Sequence, residues 1–229
     1  MRRISFHLLP GLCLLCGRPS RRALDLCAPC EADLPWLAGA CRQCALPLAT
    51  PGICAVCQQH PPPFAVSVIP CRHAFPVDHM IQRLKYGGEL AQAAPLAQLL
   101  VTVVRQRTEP LPEALIPVPL HWRRRATRGF NQAQEIARHL SASLAVPLRT
   151  DLVRRVRATP PQASLARTER RRNLVQAFAA RKAAMPEHIA LLDDVVTTGS
   201  TMTALADCLR RAGAARIEVW AVSRALLAT

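Results

Sequence analysis

The run Leu191-Leu192-Asp193-Asp194-Val195-Val196-Thr197-Thr198-Gly199-Ser200-Thr201 joins two carboxylates to a turn of small hydroxyl side chains. Adjacent carboxylates can accept hydrogen bonds from the vicinal hydroxyls of a ribose. A hydroxyl-rich turn with a glycine lets backbone amides close on a phosphate, and a helix N-terminus adds unpaired N–H groups and partial positive charge. Together the two halves suit a sugar phosphate. The run lacks the lysine of a G-x-x-x-x-G-K-[ST] loop, which argues against an ATPase.

A second chemistry lies at the front of the chain. Eight of the ten cysteines form four C-x-x-C pairs: Cys13/Cys16, Cys27/Cys30, Cys41/Cys44 and Cys54/Cys57. One C-x-x-C pair offers two thiolates to a tetrahedral ion, and two pairs joined by a hairpin complete a four-cysteine zinc site. Joining the first pair to the second and the third to the fourth gives two sites. With every position filled by protein, zinc there is structural. A disulfide framework needs an oxidising compartment, a thioredoxin-like centre needs one pair, and an iron–sulfur cluster shares four-cysteine ligation and differs in geometry. Cys71 and Cys208 fall outside the pattern and read as buried thiols.

These groups need elements to hold them. Residues 188–192 are an apolar run of buried-strand length that stops at the two acids. After the turn, Met202, Leu205, Ala206 and Leu209 follow a helical period. Arg210 and Arg211 sit in its last turn, and Gly213 falls where a left-handed C-cap belongs. Residues 216–222 read as the next strand. The run therefore lies at a strand-to-helix turn of a βαβ unit, on the carboxyl edge where open α/β sheets bind ligands.

Upstream, Val77, Met80, Ile81 and Leu84 mark one helical face that ends at Gly87 and Gly88. Leu90, Leu96, Leu99, Leu100 and Val103 continue the apolar pattern. Residues 113–119 read as a strand whose Pro117 and Pro119 mark its exit. Arg123, Arg124, Arg125 and Arg128 follow, and Asn131 can cap a helix with Ile136, Ala137, Leu140 and Leu144 on its core face. The arginines either form a solvated turn or hold an anion, and their planar forks favour phosphate. Residues 149–172 carry eight arginines, Pro160-Pro161 and few large apolar side chains, which predicts a mobile basic loop. Trp122 or Phe130 would supply any base stacking beside it.

With 229 residues, half of them hydrophobic, the chain can bury one sizeable domain and a small satellite. We expect a Cys-rich zinc module over residues 1–60, a stiff Pro61-Pro62-Pro63 link, and an α/β domain over 61–229. Few large apolar groups lie in residues 10–60, so metal must supply folding free energy there. Lys and Arg number 30 against 15 Asp and Glu, a net +15 that favours polyanionic partners. No apolar stretch reaches the 18 or so residues of a membrane span. Met1-Arg2-Arg3 and the apolar residues after it imitate a signal peptide. His7 and Pro10 interrupt that stretch, and no A-x-A site follows.

The segment Asp193-Asp194-Val195-Val196-Thr197-Thr198-Gly199-Ser200-Thr201 resembles the phosphoribosyl-diphosphate (PRPP) motif of type I phosphoribosyltransferases. Together with Lys85-Tyr86-x-Gly88, the Pro117-Val118-Pro119 turn and Arg128-Gly129-Phe130-Asn131-Gln132, it resembles the ComF family, including its GntX-like members. The resemblance spans nearly the whole chain and implies a parallel sheet flanked by helices, with an N-terminal zinc module. It implies Asp193 and Asp194 as a catalytic pair on the ribose hydroxyls, and residues 195–201 (Val195, Val196, Thr197, Thr198, Gly199, Ser200, Thr201) around the 5′-phosphate. Lys85, Arg123, Arg125, Arg128, Arg167 and Arg171, with Mg²⁺, would meet the pyrophosphate. It further implies DNA uptake in natural transformation, on the cytoplasmic side, reaching the inner face of the membrane through partners. Three roles follow: a PRPP-dependent transferase, a single-stranded-DNA-binding competence factor with a regulatory or inactive PRPP site, or a nucleotide-salvage transferase. No residue identifies an acceptor base.

Overall fold

The structure, a computed structural model, describes residues 11–22, 24–157, 177–181 and 185–226. The Cys-rich front carries two helical turns, Ala28–Ala32 (α1) and Ala55–Gln59 (α2). Each begins directly after a cysteine, Cys27 or Cys54, whose extended backbone (ψ 156°) feeds the chain into the turn. The order then runs Val66–Val68 (β1), Cys71–Arg72 (β2), Val77–Gly87 (α3), Ala93–Val104 (α4), Ala114–Pro117 (β3), Trp122–Arg128 (α5) and Gln132–Leu144 (α6). Val153–Arg155 (β4), Phe178–Ala180 (β5), His188–Val196 (β6), Ser200–Arg211 (α7) and Arg216–Arg224 (β7) follow.

The sheet order is β1-β7-β6-β3, every pairing parallel, and β2 continues the β1 edge further along β7. This is the parallel sheet flanked by helices that the resemblance implied. Strand alternation divides its core in two. Leu115, Ala190, Leu192, Trp220 and Val222 pack against α3, α4 and α6 on one face. Ile116, Ile189, Leu191, Ile217 and Val219 pack against α7 and the β4–β5 pair on the other. With apolar groups on both faces, the strands read as continuous hydrophobic runs.

The helices form where their patterns place them. Val77, Met80, Ile81 and Leu84 are the buried side of α3, and Gly88 at φ 67° ends it in the left-handed conformation that glycine adopts at least cost. Asn131 caps α6, its side chain accepting from Ala133 N at 3.1 Å, while Ile136, Ala137 and Leu140 face the core. Cys71 and Cys208 are buried thiols, pushed up by burial, Cys71 to about 12.

Three expectations need correction. The strand does not stop at the acids: β6 runs on to Val196, because β7 supplies ladder partners for Asp193, Val195 and Val196 at Ala221, Ser223 and Arg224. Gly213, by contrast, closes α7 as expected: at φ 112° it follows Ala212, its N–H donating to Arg210 O at 3.0 Å and Ala214 N to Leu209 O at 3.1 Å. Residues 122–128 form a helix rather than a turn. The start of the basic stretch is structured, with Leu152 and Val153 buried and β4 paired antiparallel to β5. The remainder of that stretch, including Arg167 and Arg171, lies outside the described residues.

The Cys-rich units are joined to the sheet by apolar packing as well as backbone contacts. Leu26 (fully buried) and Leu34 sit in the same core cluster as α3 and α4. Each such side chain contributes about 2 kcal/mol by leaving water. Leu37 N donates to Pro70 O at 2.7 Å and Ser67 N to Arg42 O at 2.9 Å. Among the described residues, no helix is long and apolar enough to cross a membrane.

Candidate functional site: an anion loop at the sheet's carboxyl edge and two four-cysteine centres

Period-two alternation along β6 sends its two acids to opposite faces. Asp193 lines a shallow cleft of about 30 Å³ with Val196, Thr197, Gly199, Ser200 and Thr201, on the α7 side. Asp194 turns to the other face, where it is 2% exposed. Lys85 Nζ from the last turn of α3 meets its Oδ2, and Gln132 Nε2 from α6 donates to its Oδ1 at 3.2 Å. Asp193 thus lies beside the loop while Asp194 is held in an ion pair, the two carboxyls still acting on each other. Burial, then the charge of Asp194, holds the Asp193 carboxyl well above the usual carboxylate range, with Lys85 opposing.

The loop has the expected hydroxyls and an exposed helix end. Gly199 takes φ 76° at the N-cap of α7 and offers no side-chain cap, so the first amides of a twelve-residue helix stay unsatisfied by it. Thr198 Oγ1 lies 2.5 Å from Ser200 Oγ and accepts from Ser200 N at 3.4 Å. Thr197 and Thr198 are exposed. Amides, hydroxyls and the helix dipole converge on a place for an anion, with Asp193 beside it.

The expected cations are placed unequally. Lys85 is committed to Asp194. Arg128 donates to Gln132 Oε1 at 2.6 Å and lies 5.4 Å over the Tyr86 ring, extending the same buried polar chain outward. Arg123 lies 5.3 Å over Trp122. Arg125, by contrast, lines a cavity of about 570 Å³ with Trp122, Asn131, Arg154 and Arg155, between the Pro117–Pro119 turn and β4. Trp122 is 65% exposed, and Phe130 is half-buried, packed against the edge of the core.

The four C-x-x-C pairs close into two clusters, Cys13, Cys16, Cys27, Cys30 and Cys41, Cys44, Cys54, Cys57, each with all four sulfurs within 4.8 Å. Cys16 and Cys27 Sγ are 3.8 Å apart, and Cys44 and Cys54 Sγ 3.6 Å. Tetrahedral Zn–S bonds of about 2.3 Å require sulfur separations of about 3.8 Å, so the donor set fits zinc. Backbone amides prepare the first cysteine of each set. Burial pushes the Cys41 thiol up, but amides of Cys44, Cys54 and Gln43 outweigh it and bring it down to about 6. Cys13 falls to about 6 in the same way, through Cys27, Cys16 and Leu15.

Relatives match this chain over nearly its whole length. The DNA utilization protein YhgH of Salmonella typhi is 37% identical over 224 residues, covering 95% of this chain and 99% of its own. That of Escherichia coli K12 is 36% identical with the same coverage. Competence protein F of Haemophilus influenzae is 35% identical over 222 residues, covering 94% of this chain and 91% of its own. The chain belongs to the ComF family. A double zinc ribbon domain family model matches residues 5–58, which contain both four-cysteine clusters, so the clusters of this ComF-family chain are structural zinc sites.

Three residues of the site region were missed in the sequence. Gln132 stood in the motif but gave no hint that it holds Asp194. Arg155 reaches the large cavity from β4, in a stretch read as loop. Arg224 ends a buried strand, and a charged residue in a run such as Val222-Ser223-Arg224 was a usable signal. Its donors reach the carbonyls of Val196 and Thr197 at the base of the anion loop.

Proposed function

We propose that the protein handles DNA, in the manner its relatives' names describe, and binds PRPP with Mg²⁺ at the turn from Asp193 to Thr201. The observation that carries the ligand is the cleft itself: a carboxylate and a hydroxyl-lined helix N-terminus on the carboxyl edge of a parallel sheet. Asp193 accepts from the ribose hydroxyls, and Thr197, Thr198, Gly199, Ser200 and Thr201 receive the 5′-phosphate. Asp194 holds the strand end by its pair with Lys85. Magnesium, carried by the ligand, neutralises pyrophosphate charge, and Arg125, in the cavity beside the Pro117–Pro119 turn, is assigned to it. Pyrophosphate release measures whether transfer follows binding.

The DNA side is supported by the net charge of +15 and by the large cavity. There Arg125, Arg154 and Arg155 stand beside exposed Trp122, and no acidic residue lines the wall among the described residues. Guanidinium forks suit backbone phosphates and an indole face suits an unpaired base. Both ligands thus meet at one sheet edge. The test is a competition: fluorescent single-stranded DNA bound to the zinc-loaded protein, titrated with Mg·PRPP. We expect both to bind, DNA affinity to fall steeply with salt, and PRPP to displace DNA. Absence of PRPP binding at millimolar concentration overturns the ligand assignment, and a flat salt response overturns the DNA assignment.

A further inference from the structure

Arg224 is the last residue of β7 and only 6% exposed. A guanidinium that deep needs acceptors for its donors. It finds them on two elements far apart in sequence. Nη1 donates to Val196 O at 3.1 Å, to Thr197 O, and to Ala225 O at 2.5 Å, while Nε donates to Cys44 O at 3.0 Å. The first two belong to the base of the anion loop, and Cys44 is a ligand of the second four-cysteine site. The rest of that knuckle is clamped as well: Arg42 O accepts from Ser67 N at 2.9 Å and Gln43 O from Ser67 Oγ.

A trans peptide points its N–H opposite its C=O. Holding the carbonyls of Val196 and Thr197 on one guanidinium therefore turns the amides of Thr197 and Thr198 away from it and sets the entry to the Gly199 turn. We propose that Arg224 is the positioning residue of the anion loop and couples it to the second four-cysteine site. Zinc on Cys41, Cys44, Cys54 and Cys57 fixes the Cys44 carbonyl; that carbonyl fixes the guanidinium, and the guanidinium fixes the peptide planes that face an anion. By linkage, an anion on the loop and zinc at this site stabilise each other. The hydrogen bonds of Arg224 among the described residues reach the second site and not the first, which makes the first an internal control.

The test uses full-length, zinc-loaded protein and Arg224→Met. Hydrogen exchange is followed in the peptide spanning 193–202, and zinc release to a chromogenic chelator is timed with and without Mg·PRPP. Couplings of this kind run from about 5- to 150-fold, and one shared arginine sits near tenfold. In the variant we expect loop exchange to rise about tenfold and one of the two zinc ions to leave about tenfold faster, the other unchanged. Mg·PRPP slows release of that same ion in the wild type and not in the variant. Unchanged loop exchange and unchanged release of both ions in a folded variant overturn the proposal. Should Arg224→Met not fold, Arg224→Lys is read by the same criteria, with smaller effects confined to the same ion and the same peptide. The PRPP arm rests on the ligand assignment above, whereas the exchange and zinc arms do not. A wild type that ignores PRPP removes the ligand and leaves the coupling still decided.

Discussion

Replacing Lys85 by methionine separates a structural cation from a ligand-binding one. Lys85 Nζ meets Asp194 Oδ2, with the two side chains 21% and 3% exposed. Methionine keeps most of the stem and removes the charge, leaving a carboxylate in the core with one remaining partner, Gln132 Nε2 at 3.2 Å. Removing one member of a fully buried pair costs about 3–5 kcal/mol. Because the lysine is a fifth exposed, we expect about 2–3 kcal/mol. For a chain of this size that is a fall in Tm of about 4–12 °C. Asp194→Asn should cost about 1 kcal/mol, since the amide can still accept from Gln132 and the lysine stem can reach water. The double variant should be more stable than the sum of the singles allows, with a coupling of about 1–2 kcal/mol. Urea unfolding at pH 7 and low salt, followed by tryptophan fluorescence, buried Trp220 included, gives all four corners of the cycle. Full stability in Lys85→Met, no coupling to Asp194 and weakened pyrophosphate binding would refute the reasoning and make Lys85 a ligand.

Two further outcomes follow from other parts of the fold. Stripping zinc with a strong chelator should lower the melting temperature of the sheet as well as the ribbons, by at least about 4 °C, because Leu26 and Leu34 share the core of α3 and α4; circular dichroism with an unchanged sheet transition would contradict this. Glu218 is fully buried, gripped by Arg107 at 2.7 and 2.9 Å, His188 Nε2 at 3.0 Å and Trp220 Nε1 at 2.9 Å. Burial pushes its carboxyl up, but Arg107 and the other donors hold it below the ordinary value of 4.5. Its contribution is therefore fully present above about pH 4.5 and lost as pH falls through the lowered value. Glu218→Gln should cost about 3–5 kcal/mol at pH 7 and flatten the acid limb of a stability–pH curve; equal acid limbs would sink that assignment.

What could be read from the sequence was local. Four C-x-x-C spacings were enough for two four-cysteine centres, because the ligand pairs and hairpins are short-range. The strand, turn and α7 were likewise visible in period and cap residues. What escaped was set by pairing at a distance. An apolar run that ends at Asp193 looks like a strand end, but the ladder to Ala221, Ser223 and Arg224 carries β6 on to Val196, and so the acids face opposite ways. Val153–Arg155 looked like basic loop because its partner, Phe178–Ala180, follows more than twenty residues later. Arg224 owes its role to Cys44, 180 positions away.

The split of the two acids is the central claim, and calorimetry of Mg·PRPP against Asp193→Asn and Asp194→Asn tests it most directly. Losing a hydrogen-bonded carboxylate at the ligand costs about 1.5–3 kcal/mol, a tenfold or greater loss of affinity. The account predicts that loss for Asp193→Asn, with Asp194→Asn binding within about threefold of wild type and losing mainly stability. Unchanged binding by Asp193→Asn, or a larger loss from Asp194→Asn, would contradict it.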